Sequence, residues 1–126
     1  MQKLHYESSW DKALPTKDRE RIINVFKETS AEHHSAIKFT PLWEATNYRD
    51  ELLITVLVHN FSDDIVTFNN TKLRYIVNSD VIAEHAFTIP ALEIQPKTSM
   101  PWAFIFPALS LNNHVNLDNG HLEFAN

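Results

Sequence analysis

No cysteine occurs among the 126 residues, and glycine occurs once, at Gly120. The first absence excludes a disulfide framework, a thiolate nucleophile, a thiolate zinc site and an iron–sulfur cluster. The second excludes a Gly-rich phosphate loop, a dinucleotide fingerprint and a G-x-S-x-G nucleophile elbow. Lys and Arg number 11 against 16 Asp and Glu, for a net charge of -5. That balance argues against a nucleic-acid partner, because phosphate binding needs a basic surplus. Long apolar runs are missing too. The longest, 52–58 and 102–109, are broken by Thr55 and Pro107 and fall well short of the ~20 residues that span a bilayer. The first ten residues hold no apolar run of the signal-peptide kind, so a soluble, cytoplasmic chain is expected. On that expectation the triplets Asn60-Phe61-Ser62 and Asn69-Asn70-Thr71 are not glycosylation sites.

What is present is core-forming material: 44% of the residues are hydrophobic and 11% aromatic. The length fits one domain, 1–126. Residues 1–30 are expected to be helical in part. Ser8 or Ser9 can cap a turn that brings Trp10 and Leu14 together. Thr16 then reads as the N-cap of a helix over 17–29, with Asp18 and Glu20 in its first turn. Ile22, Ile23, Val25 and Phe26 form one apolar stripe opposed by Arg19, Arg21, Asn24 and Lys27, so this helix must lie against something. Residues 30–35 read as a polar linker.

From residue 36 the hydrophobic period becomes two. Ile37, Phe39, Leu42 and Trp43 suggest an extended segment interrupted at Pro41. Residues 51–60 give the clearest strand. Leu52, Ile54, Val56 and Val58 share one face, with Leu53, Thr55, Leu57 and His59 on the other, and such a strand must be covered on both faces. Phe61-Ser-Asp-Asp64, Asn69-Asn70 and Asn78-Ser79-Asp80 read as turns separating further strands, as does Asn112-Asn113. Pro90 and Pro96 bracket a short Leu92-Glu93-Ile94 segment. Pro101–Phe106 is a second strand apolar on both sides, with Trp102, Phe104 and Phe106 sharing a face. Val115, Leu117, Leu122 and Phe124 flank Asp118-Asn119-Gly120, the strongest two-residue hairpin signal. Six to eight strands at short spacing predict a mainly β, antiparallel, immunoglobulin-like sandwich over 36–126, behind an N-terminal amphipathic helix.

Chemistry is sparse. Glu32-His33-His34 is the densest metal-ligating cluster, but neighbouring side chains diverge on helix and strand alike, and no H-x-H or H-x-x-x-H pair supports it. His59 and His85 sit among apolar neighbours. Either can act as a general base, but a buried histidine satisfied by a backbone carbonyl is the favoured reading. Asp63-Asp64, or Glu44 with Glu51, could supply a carboxylate pair, although Asp in a turn is explained by the turn. No catalytic, cofactor or metal residue is assigned, and an enzyme is not expected. Trp10, Trp43, Tyr48 and Phe61 lie near turns or strand ends, where a ligand groove could use them, but which residues bind a partner is not legible.

Three segments together resemble one family. Leu4-His5, Trp10-Asp-Lys-Ala-Leu14, Asp18 and Val25-Phe26 look like its opening Trp and Leu followed by an Asp-rich helix. Ile54-Thr-Val-Leu-Val-His-Asn60 is similar to a family strand ending in Arg-Asn, with His59 in the Arg place. Ala83-Glu-His-Ala-Phe87, Ile94-Gln-Pro96 and Ser99-Met-Pro-Trp-Ala-Phe-Ile-Phe106 look like its Ala-Arg-Lys-x-Phe, Ile-Pro and Ser-Arg-Pro-Trp-x-Phe-x-Phe run. Glu84, His85 and Met100 replace its cations. The chain thus resembles the SLAP domain of Gram-positive bacteria, named for S-layer assembly proteins. That resemblance implies a cytoplasmic, non-enzymatic protein-interaction module. Its expected role is chaperone-like assistance to accessory Sec export or S-layer assembly, with export machinery or an exported surface protein as partner. Because the family often carries the domain twice, a homodimer of this single copy is compatible with it. Two alternatives stand beside this reading: a small-ligand-binding sandwich or minor enzyme using His59 and His85, and a structural domain of a cell-envelope assembly.

Overall fold

The computed structural model describes residues 2–31, 35–108 and 119–125. In chain order the described elements are β1 (Lys3–Leu4), α1 (Ser8–Ala13), α2 (Thr16–Thr29), β2 (Ile37–Thr46), β3 (Leu52–Asn60), β4 (Val66–Val77), β5 (Asp80–Ile94), β6 (Thr98–Phe106) and β7 (His121–Phe124). They form a four-stranded sheet in the order β1-β6-β3-β2 and a three-stranded sheet in the order β5-β4-β7. The protein is therefore mainly β, a two-sheet sandwich preceded by helices. The pairs are antiparallel, as the period-two pattern predicts, except β1 with β6, which is parallel. The β1 strand itself carries no sequence signal.

The central strand β3 shows why a third layer exists. Leu52, Ile54, Val56 and Val58 enter the core between the sheets, with Phe68, Leu73, Tyr75, Phe87, Leu92, Phe104 and Phe106 from other strands. Leu57, on the opposite face, packs with Ile22 of α2 and Leu42 of β2, and Trp10, Leu14, Val25 and Phe26 complete that second cluster. One side of the first sheet is thus covered by the second sheet, and the other by α1 and α2. Burying these apolar faces stabilises the fold by roughly 25 cal/mol per Å² removed from water.

Several boundaries differ from the sequence reading, each for a definable reason. The cap of α1 is Glu7, whose carboxylate accepts the Ser9 N–H, so Ser8 and Ser9 are helical. Pro15 occupies the N-cap of α2, and Thr16 is already helical. Pro41 does not interrupt β2, since this edge strand absorbs it with a register shift between Pro41 and Trp43. Pro90 is likewise tolerated inside β5, the edge of its sheet, where a missing N–H breaks no ladder bond. Residues 92–94 therefore belong to that strand and form no separate segment.

Asn69-Asn70 is not a turn. It is a bulge within β4, with Asn70 at φ 51° and the register shifting between Phe68 and Thr71. Asn78-Ser79 is the tight hairpin: both residues have positive φ, 51° and 72°, between paired Val77 and Asp80. That is the type I′ pattern matching strand twist. Asn119 also has positive φ, at 62°, while Gly120 does not. The glycine is needed for space, because a Cβ there would lie 2.1 Å from Tyr75 Cζ. The proposed turn at Asn112-Asn113, strand residues Val115 and Leu117, and Asp118 lie outside the described residues.

Candidate binding groove and the His59 cluster

A groove of about 520 Å³ opens where the α1–α2 junction meets the outer face of the four-stranded sheet. Trp10, Ala13, Leu14, Pro15 and Asp18 form its helical wall. Trp43 of β2, Leu53 and Thr55 of β3 and Ala103 of β6 supply the sheet side. Sequence dictates this opening. Pro15 ends α1's direction and starts α2, so the chain bends there and leaves the far end of the sheet uncovered. Cross-strand pairing puts Trp43, Thr55 and Ala103 in one row and Ala45, Leu53 and Ile105 in the next. Opposed residues share a face, so the second row extends the apolar floor past the helices, and Ile105 is 45% exposed. Trp10 is held by its ring stacking on Trp102 at 6.3 Å. Arg19 fixes the two helices together, bonding the Asp11 carboxylate at 3.0 Å and carbonyl at 2.8 Å while lying over the Tyr6 ring.

Of the four aromatics picked out in the sequence, Trp10 and Trp43 meet in this groove. Tyr48 is 87% exposed and lies against Arg49, away from the groove lining. Phe61 is buried and stacks on His59. Phe104 and Phe106 are core, as the pattern predicts, whereas Trp102 is half-buried.

His59 lies at the other end of the same outer face. It is fully buried, and among the described residues its ring nitrogens meet hydroxyls and no backbone carbonyl: Nδ1 lies 2.6 Å from Ser99 Oγ, and Nε2 lies 2.9 Å from Thr29 Oγ1. Burial, reinforced by nearby Lys38, pushes its pKa down to about 4. His85 is on β5 of the other sheet, half-buried, with its ring edge-on to Phe87 at 4.9 Å. Since His59 faces α2, and the sandwich core lies behind it, the two histidines share no site. Asp63 and Asp64 occupy the exposed β3–β4 turn, where Lys97 approaches Asp63 at 3.8 Å. Glu44 is exposed on β2, and Glu51 accepts from Asn47 Nδ2. The Glu32-His33-His34 cluster lies outside the described residues. Among the described residues no group of three metal-ligating side chains converges, and no helix is long and apolar enough to cross a membrane.

The sequence pattern gives Asn60 a place in a strand motif but no structural role. Fully buried, it faces the second sheet and shares its amide hydrogens among the carbonyls of Asp64, Ile94 and Gln95 at 2.7–3.1 Å. Its Oδ1 accepts from Ser62 N–H and Oγ–H. Glycosylation at this triplet would require exposing that amide. Adjacent His59 and Asn60 thus tie β3 to the layer on either side. The available signal was a polar pair ending an otherwise apolar strand.

The comparison with known proteins agrees with this architecture. The family model for the SLAP domain matches residues 4–125. No curated protein and no solved structure matches. The match runs from β1 through the end of β7, spanning the helical layer, both sheets and the groove between them, and the chain belongs to the SLAP domain family.

Proposed function

We propose that this domain is a non-enzymatic protein-interaction module that receives an apolar polypeptide segment in the Trp10–Trp43 groove. Membership of the SLAP family suggests a surface- or S-layer-associated domain. Within that class, the reading favoured is chaperone-like help to a surface protein before its export, with the domain acting in the cytoplasm. The observation that carries it is the groove: two tryptophans flank a floor of Leu53, Thr55 and Ala103, which continues to the exposed Ile105. Aromatic walls around an apolar floor are the common composition of peptide-binding hot spots.

Charge narrows the ligand. Asp18 is the charged residue in the groove lining, and the chain as a whole carries -5. A segment of apolar residues with Lys or Arg at one end therefore fits better than an acidic one. Titrating the protein with a synthetic leucine-rich 12-mer carrying two lysines at one end tests this by tryptophan fluorescence. Saturable binding is expected, weakened at least tenfold by Trp43→Ala. Asp18→Asn should weaken the lysine peptide but leave a lysine-free analogue unchanged. Equal binding by wild type and Trp43→Ala would contradict the groove assignment. Cell fractionation tests the compartment, and recovery in the wall fraction alone would contradict the cytoplasmic role.

A further inference from the structure

The floor of the groove ends at β2, an edge strand whose hydrogen-bond parity is fixed at both ends. At one end the Phe61 N–H donates to the Ala36 carbonyl at 2.8 Å, and at the other the Asn47 N–H donates to the Glu51 carbonyl at 3.1 Å. Antiparallel ladders alternate bonded and non-bonded pairs. On the register of β2 with β3, Ile37 and Phe39 in the first half, and Glu44 and Thr46 in the second, therefore turn their main-chain groups away from β3. Among the described strands, β2 is the last of its sheet on that side.

The two halves of this edge are not equivalent. Between them, Pro41 has no N–H to offer, and the carbonyl of the bulged Leu42 accepts from Arg21 Nη2 of α2 at 3.0 Å. The first half is half-buried, and its Phe39 ring meets Phe124 of β7 at 5.1 Å. In the second half Glu44, Ala45 and Thr46 are exposed. Among the described residues, the main-chain groups of Glu44 and Thr46 have no hydrogen-bond partner, and the Glu44 carboxylate has no ion pair. Trp43, which lines the groove, directly precedes them.

We propose that the occupant of the groove binds as an added β-strand on residues 43–46 of β2, an extended segment that alternates apolar residues with Lys or Arg. This rests on the groove reading and specifies the conformation and pattern of what binds there. Paired residues share a face. Side chains of the added strand level with Trp43 and Ala45 continue the rows of Thr55 with Ala103 and of Leu53 with Ile105, so apolar residues fit there. Side chains level with Glu44 and Thr46 stand on the opposite face beside an unpaired carboxylate, so cations fit there. The N–H and C=O groups of Glu44 and Thr46 bond the segment whatever its side chains, the usual basis of strand addition. A second copy of this chain fits less well, because each copy carries -5 and brings its own Glu44 to the contact.

The hexapeptide Leu-Lys-Leu-Lys-Leu-Lys, capped at both ends, tests this on the wild-type protein in two backbone-methylated forms, one on the leucine amides and one on the lysine amides. Lysine methylation removes the edge bonds of an antiparallel added strand, and leucine methylation those of a parallel one. One form should bind at least about tenfold more weakly than the parent, and the other within about threefold of it. Equal affinities or equal losses would overturn strand addition and leave the groove reading standing. Failure of the parent hexapeptide where the leucine-rich 12-mer binds would do the same, whereas failure of both peptides would remove the groove and the added strand together. Amide exchange gives an independent readout. In the free protein Glu44 and Thr46 should exchange faster than Ala45 and Asn47, and the parent hexapeptide should slow the first pair. Slow exchange of Glu44 and Thr46 without peptide would show the edge already filled, by this chain or by a second copy, and would overturn the proposal.

Discussion

Asn60 shows how much one polar side chain can hold when its position at the end of a core strand is fully bonded. Its amide gathers carbonyls from the β3–β4 turn and from the end of β5, so Asn60→Ala removes the donor that serves the buried Ile94 carbonyl and the packing of a fully buried side chain. A loss of about 2–3 kcal/mol in chemical denaturation is expected. Thr40 is the opposite case: its hydroxyl is buried without a hydrogen-bond partner among the described residues. Thr40→Val keeps the shape and removes the cost, so the same measurement should show a gain of about 1 kcal/mol. Gly120 is the third. Gly120→Ala should cost about 2 kcal/mol through overlap with Tyr75, and much less beside Tyr75→Leu. A cost unchanged in that double-mutant cycle would return the glycine to a turn role. The sequence marks Gly120 as special but cannot say why, because Tyr75 lies on the neighbouring strand β4.

At the scale of elements, local chemistry was legible and strand continuity was not. The amphipathic stripe of α2 and the two-faced pattern of β3 carry their own period, and both elements appear where that period ends. Asn69-Asn70, Pro41 and Pro90 look like strand breakers in isolation. Whether such residues end a strand or are absorbed by a bulge or an edge depends on the partner strand, which a linear pattern does not name. Left-handed backbone, which asparagine tolerates better than most residues, is present at Asn70, Asn78 and Asn119. Since Ser79 holds φ 72° without being glycine or asparagine, Ser79→Gly should stabilise the β4–β5 hairpin by about 0.5–1 kcal/mol. Thermal unfolding will read this as a modest rise in Tm.

At the scale of the molecule, two apolar layers sandwich the first sheet, and their coverage is unequal. The sequence requires both faces of β3 to be covered, and it supplies one helix pair that reaches only part of the outer face. The remaining rows, with Trp43, Leu53, Ala103 and Ile105, form the groove floor. Trp10 and Trp43 were both visible as candidates, but their meeting depends on a bend at Pro15 and on the register of β2 with β3. The His59 network was less legible still, since its ring joins residues 30 and 40 positions away.

The central claim is that an apolar segment seats in this groove. Amide-resolved NMR during titration with the lysine-ended leucine peptide tests it most directly. Shifts concentrated at Ser9–Asp18, Trp43, Leu53, Thr55 and Ala103 are predicted, with the second sheet unmoved. Saturable binding that shifts other surfaces while leaving those residues in place would contradict the account.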